Sequence, residues 1–149
     1  MKLCAGQYKY LLTVYELSKT LKTVRSVDIA NSLSVTRPSV SKMLKCMARL
    51  ELIEPEYATS VIMTDLGKET AKNLSVNFNT INTFFTEILK LDEHSAHEQS
   101  ILFLASFPET TVEKLSAITR NTIKKRHKKA HENNCLLYTS PSPRDISGS

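Results

Sequence analysis

The 149-residue sequence predicts a mainly α-helical chain with one small β-hairpin, and three observations carry that expectation. Apolar residues recur at helical spacing in several separate segments. Two short β-prone runs, residues 52–57 and 61–63, face each other across a turn. Ser, Thr, Asp and Pro stand where helix caps and first turns belong.

Residues 8–21, YKYLLTVYELSKTL, place Tyr8, Leu11, Leu12, Tyr15 and Leu17 near helical spacing and predict a first helix. In VRSVDIANSLSV, Ser26 is expected to cap a short helix whose apolar face is Val27, Ile29, Ala30 and Leu33. The next stretch, SVTRPSVSKMLKCM (34–47), packs hydroxyls, a proline and three cations around an apolar skeleton. Thr36 is the expected N-cap, with Pro38 in the first turn, where a missing N–H costs nothing. Val40, Leu44 and Met47, flanked by Met43 and Leu50, form the stripe expected to be buried. Arg37, Ser39, Lys42, Lys45 and Arg49 fall largely elsewhere on the helix.

Two helices, a tight turn and a polar start to the second helix make a helix-turn-helix pattern. The hairpin and a helix capped by Thr64 follow, which is the order of a winged helix. In that arrangement the start of the second helix enters the major groove of double-stranded DNA. Short hydroxyls let the backbone approach, and Arg and Lys reach bases and phosphates. The expected DNA-contacting set is Thr36, Arg37, Pro38, Ser39, Ser41, Lys42, Lys45 and Arg49. The wing tip, YATS, carries neither Gly nor a cation, so its phosphate contact is expected to be weak.

Residues 65–90 continue as a long helical region with Leu66, Leu74, Ile81, Phe84, Phe85, Ile88 and Leu89 as apolar positions. LDEHSAHEQSILFLASF predicts another helix, with Asp92 and Glu93 at its positive N-terminus. Pro108 interrupts, and ETTVEKLSAI forms a further helix. These exceed what one winged domain needs and point to a homodimer interface. The expected organisation is a winged helix-turn-helix over 1–64, a helical dimerisation domain over 65–118 and a basic helical tail over 119–134, read as a solvated helix end or frayed tail, with contact to DNA phosphates as the alternative. From Cys135 onward the character breaks: CLLYTSPSPRD matches the in-frame translation of a transposase-type sequencing adaptor. Residues 135–149 are therefore expected to be read-through rather than native protein.

Charge follows the same divisions. Residues 1–63 hold nine Lys/Arg against five Asp/Glu, residues 64–118 four against eight, and residues 119–134 six against one. A basic front followed by an acidic middle points to a polyanion-binding part joined to something else. No run reaches the length of a membrane span and no signal peptide is evident, so a cytoplasmic protein is expected. The three cysteines have neither metal-type nor disulfide spacing. There is no Gly-rich phosphate loop, nucleophile motif or acid–base pair, so no enzyme is expected. A winged-helix module that docks on protein rather than DNA is the competing reading.

From Tyr8 to Leu115 the chain resembles the diphtheria-toxin-repressor and manganese-transport-regulator family of metal-dependent repressors. VRSVDIANSLSVTRPSVSKMLKCMARLELIE resembles its DNA-binding core, MTDLGKETAKNL the junction after the wing, and FFTEILKLDEHSAHEQ and VEKL its dimerisation helices. The resemblance implies a homodimer on a palindromic operator, controlled by Mn²⁺ or Fe²⁺. The implied metal ligands, however, fall at Lys9, Leu12, Phe78, Asn82, Ile101, Leu104 and Ala105. Of the ancillary positions only His97 keeps its family residue type, with Glu98 beside it. Mn²⁺ and Fe²⁺ need carboxylate and imidazole donors, which Leu, Phe, Ile and Ala cannot supply. The expectation is a regulator without the family's metal switch, with Leu12, Phe78, Ile101 and Leu104 closing the pocket as core. The alternative is a non-standard metal site among His94, His97 and Glu98, near Asp92 and Glu93.

Overall fold

Six α-helices and one π-helical turn succeed one another in a computed structural model that describes residues 2–139, with side chains described to Asn134. They are α1 (Ala5–Thr20), α2 (Ser26–Leu33), α3 (Arg37–Arg49), α4 (Asp65–Thr83), the π-helical turn Phe84–Ile88, α5 (Glu93–Ser106) and α6 (Glu109–Thr139). Among the described residues none of these helices is long and apolar enough to cross a membrane.

Helix α1 is shared by two cores. Leu11 and Val14 are fully buried in a first cluster with Ile29, Val40, Leu44, Met47, Leu52 and Ile53. Leu12, one residue and about 100° further round the helix, belongs to a second cluster with Leu74, Phe78, Ile81, Phe85, Ala96, Ile101, Leu104 and Val112. Tyr8 packs against both. The first cluster is built from α1, α2, α3, the wing and Ala71 of α4, the second from α1, α4, the π-helical turn, α5 and α6.

Local chemistry explains most of the helix ends. Thr64 Oγ1 accepts from Gly67 N at 3.0 Å and donates to the Glu51 carbonyl at 2.6 Å, so one hydroxyl caps α4 and ties it to the end of α3. Asp92 caps α5 through Ser95 N at 2.9 Å. Helix α3 closes in a Schellman motif: Leu52 N bonds Met47 O, Glu51 N bonds Ala48 O, and Glu51 takes φ 59°. The long helical region ends similarly, with Leu89 N on Phe84 O and Lys90 at φ 61°.

Four expectations need correction. Ser26 does not cap α2; it is the first helical residue, and the Asp28 carboxylate accepts from Arg25 N at 2.9 Å instead. Val27 is exposed because it lies about 200° round the helix from Ile29. Leu66 and Leu89 are exposed too, Leu66 lying beside rather than on the Gly67–Ala71–Leu74–Phe78 stripe. The β-hairpin is reduced to one antiparallel bridge, Ile53 with Met63, held by Glu54 N to Ile62 O and Thr64 N to Leu52 O. A tight hairpin needs positive-φ residues at its tip, and Tyr57, Ala58 and Thr59 supply none. Pairing therefore stops after one rung, and Val61 N turns to the Val24 carbonyl.

The basic stretch 119–134 continues α6 as helix. The helix also runs through residues 135–139, where no native fold was expected; extending an existing helix costs far less than nucleating one. Residues 140–149 of that stretch lie outside the described residues.

Candidate nucleic-acid interface

Helix α3 is aimed by its buried side. Val40, Leu44 and Met47 are 0–1% exposed and anchor it in the first core. Thr36 caps it as expected from the sequence: Oγ1 accepts from Ser39 N at 3.3 Å and lies 2.9 Å from Ser39 Oγ. Thr36, Arg37, Pro38, Ser39, Ser41, Lys42, Lys45 and Arg49 are all exposed. At 100° per residue, Pro38, Lys42, Lys45 and Arg49 lie within about 60° of one another, opposite the buried stripe. Arg37 and Ser39 flank them in the first turn. The helix thus presents a cationic ridge, with hydroxyls and one arginine at its N-terminal end.

The turn before α3 is compact. Ser34 adopts the left-handed conformation at φ 54°, and Val35 N bonds Ala30 O at 3.1 Å, leaving three residues between α2 and α3. Gln7 Nε2 reaches Cys46 Sγ at 3.3 Å and ties α1 to α3, which makes Cys46 a packing residue. Beyond the wing, α4 presses so closely that a Cβ on Gly67 would stand 1.9 Å from the Leu52 carbonyl oxygen. Sequence reasoning gave Gly67 no role, because a lone glycine in a helical pattern carries no such signal.

The second junction has different chemistry. Leu12, Phe78, Ile101 and Leu104 come together in the second core, each 8% exposed or less. At its rim Lys9 Nζ meets Glu98 Oε1 at 2.9 Å, joining α1 to α5. The hydrogen bond from Lys9 is the main cause that holds the Glu98 carboxyl below its ordinary range. His97 Nδ1 stands 3.8 Å from the same oxygen, and its ring meets Phe78 edge-on at 5.0 Å. Asn82 Oδ1 accepts from Ser100 Oγ at 3.4 Å, and Ala105 is half-buried. Asp92 is committed to its cap; its bonds to Ser95 lower its carboxyl from the usual value.

Residues 2–58 match the family described as iron dependent repressor, N-terminal DNA binding domain. Residues 2–58 are thus similar to the DNA-binding domain of iron-dependent repressors. It is 27% identical over 107 residues to an uncharacterized HTH-type transcriptional regulator of Methanocaldococcus jannaschii, covering 71% of this chain and 86% of that protein. Its fold is similar to that of the manganese regulator SloR, with a TM-score of 0.68 and 24% identity over 76% of this chain and 53% of that one. It is also similar to the metal-dependent transcriptional regulator MtsR, with a TM-score of 0.66 and 22% identity over 75% and 52%. The chain therefore spans about half the length of these two solved proteins.

Similarity to iron-dependent repressors implies a metal, and the residues at the implied ligand positions do not fit one. Four of the implied ligand positions hold buried carbon side chains, and Lys9 brings a cation to a fifth. No group of three His, Cys, Asp or Glu able to hold a metal ion occurs among the described residues. His94, His97 and Glu98 do not form such a group, and Glu98 is engaged by Lys9.

Proposed function

We propose that this iron-dependent repressor homologue is a sequence-specific, DNA-binding transcriptional regulator of the cytoplasm that acts as a homodimer on a palindromic operator. The observation that carries this reading is α3. Its seven polar and cationic candidates and Pro38 are all exposed, while its apolar stripe is buried. Arg37 and Lys42 are assigned to base edges, Lys45 and Arg49 to phosphates, and Thr36, Pro38, Ser39 and Ser41 to close backbone approach. Support for the homodimer comes from Val76, Leu102 and Ile118, large apolar side chains more than half exposed on α4, α5 and α6. Two copies related by a two-fold axis would present two α3 helices to two half-sites.

The same reading makes DNA binding independent of metal. Losing one metal ligand strands the remaining charges in a buried site, whereas replacing the set by carbon side chains closes it. Leu12, Phe78, Ile101 and Leu104 then hold mechanically the junction between the DNA-binding half and α5, and the Lys9–Glu98 pair spans its rim. No catalytic role is assigned to any residue.

The test uses a duplex selected in vitro by the purified chain. Replacing Arg37 by Ala should weaken binding to the selected duplex by about 1–3 kcal/mol and relax its sequence preference. Unchanged binding would refute the docking. Adding Mn²⁺ or Fe²⁺ should leave the affinity where it was; a metal requirement would favour a non-standard site at His94, His97 and Glu98. One observation, the uncharged wing tip at Tyr57–Thr59, favours docking on protein instead. A flat salt dependence of binding to DNA would support that second reading.

A further inference from the structure

The C-terminal part of α6 carries cations that α3 does not need. Between Glu113 and Glu132 the helix has no carboxylate, yet it bears Lys114, Arg120, Lys124, Lys125, Arg126, Lys128 and Lys129. The side chains from Lys124 to Asn134 are all exposed, so eleven residues, about 16 Å of helix, extend past the last partly covered position, Ile123. Arg120, Lys124 and Lys128 follow one another at four-residue spacing, within about 80° of the circumference. His127 lies between them on the same face.

This arrangement is repulsive as it stands. Like charges four residues apart destabilise a helix, and Arg120–Lys124, Lys124–Lys128 and Lys125–Lys129 are such pairs. Glu132 is the single acid near enough along the helix to offset them. A partner with closely spaced negative charge removes the repulsion.

The position of the ridge separates it from α3. Near its start α6 lies beside the first turns of α4, where Glu109 and Val112 share a cavity with Glu69 and Leu74. Further along, Arg126 Nη1 donates to the Glu87 carbonyl at 3.0 Å, just past the end of α4. Helices α4 and α6 therefore run in the same direction, and the basic ridge lies at the end of α4 remote from the wing. It is a second surface, not an enlargement of the first.

We infer that the Arg120–Lys124–Lys128 ridge of α6 is a second, sequence-independent contact for the phosphate backbone of duplex DNA. Its chemistry selects that partner: the ridge has no aromatic or large apolar side chain to anchor a specific protein interface. Phosphate contact needs only positive charge at short, regular spacing, and the three side chains rise about 6 Å from one to the next. The inference rests on the DNA-binding reading for its biological sense, but its measurement does not use the operator.

The experiment measures binding of the full chain to a random-sequence duplex by fluorescence anisotropy across a series of KCl concentrations. The wild-type chain is compared with R120Q/K124Q/K128Q and with K45Q/R49Q on α3. The ridge variant should lose about two to three from the log–log salt slope, close to 0.9 per phosphate released. Its preference for a selected duplex over a random one should stay unchanged. The charge-preserving variant K124R/K128R should behave as wild type. Circular dichroism should show parental helix content, since the altered residues are exposed; a ridge variant that lost helix would be replaced by K124Q/K128Q, with an expected slope loss of about two. A wild-type slope in a folded ridge variant overturns the inference, as does binding of poly-glutamate as tightly as DNA. If no duplex can be selected at all, the sequence-specific reading fails while the slope difference still decides the ridge.

Discussion

On α3 the polar and cationic residues face solvent, opposite a buried apolar stripe. At the junction of α1, α4 and α5 four of the positions where the family resemblance implies metal ligands hold buried carbon side chains. The first region rests on Val40, Leu44 and Met47 and leaves every candidate contact exposed. The second gathers Leu12, Phe78, Ile101 and Leu104 into a core and leaves one ion pair at its edge. The difference follows from burial. An exposed reading surface can change one residue at a time, because each side chain is solvated on its own. A buried set of charged ligands cannot, because each remaining charge loses its compensation.

The sharpest way to break this comparison is to place a charge in each region. Ile101→Glu puts a carboxylate at a site 4% exposed, and stability should fall by about 3–5 kcal/mol, the scale of an uncompensated buried charge. Lys42→Glu on exposed α3 should change stability by no more than about 0.5 kcal/mol while abolishing DNA binding. Urea denaturation of both variants checks the pair. If millimolar Mn²⁺ returned Ile101→Glu to parental stability, the junction would still be a metal cradle and the contrast would collapse.

A smaller effect probes what couples the two regions. Helix α4 starts against the wing with no room for a Cβ at Gly67, since the obstruction is the Leu52 carbonyl, which also accepts from Thr64 N. Gly67→Ala has to separate α4 from the end of α3, at a cost of about 1–3 kcal/mol, as for other overpacked sites. A thermal melt indistinguishable from wild type would show that the close approach is dispensable.

What was legible in the sequence is what local chemistry decides. The α3 cap, its buried stripe and the α4 cap depend on residues three or four apart, and each stands where the pattern put it. The β-hairpin did not form because strand pairing depends on turn geometry, which alternation of residue types does not reveal. Ser26 yielded to Asp28 because either residue type can serve a helix start, and only the backbone path decides between them. The α6 continuation was obscured by a change of charge, which does not break a helix. The Lys9–Glu98 pair joins residues 89 apart and leaves no local trace, so this polar contact at the rim of the second core was visible only in three dimensions.

That pair gives the smallest prediction and the one most specific to the second region. Lys9 holds the Glu98 carboxyl below its ordinary value of 4.5, so the folded chain binds this proton more weakly than the unfolded chain. The stabilisation is therefore complete above the ordinary carboxyl pKa and is lost as pH falls through the lowered one. Both side chains are more than 30% exposed, so solvent screening limits the contribution to a few tenths of a kcal/mol. Glu98→Gln should consequently lower the urea midpoint slightly at pH 7, and the difference from wild type should vanish once the pH has fallen below the lowered Glu98 value. A difference that persisted in acid would mean that Glu98 acts through packing, and the Lys9–Glu98 pair would then not be the polar clasp between α1 and α5.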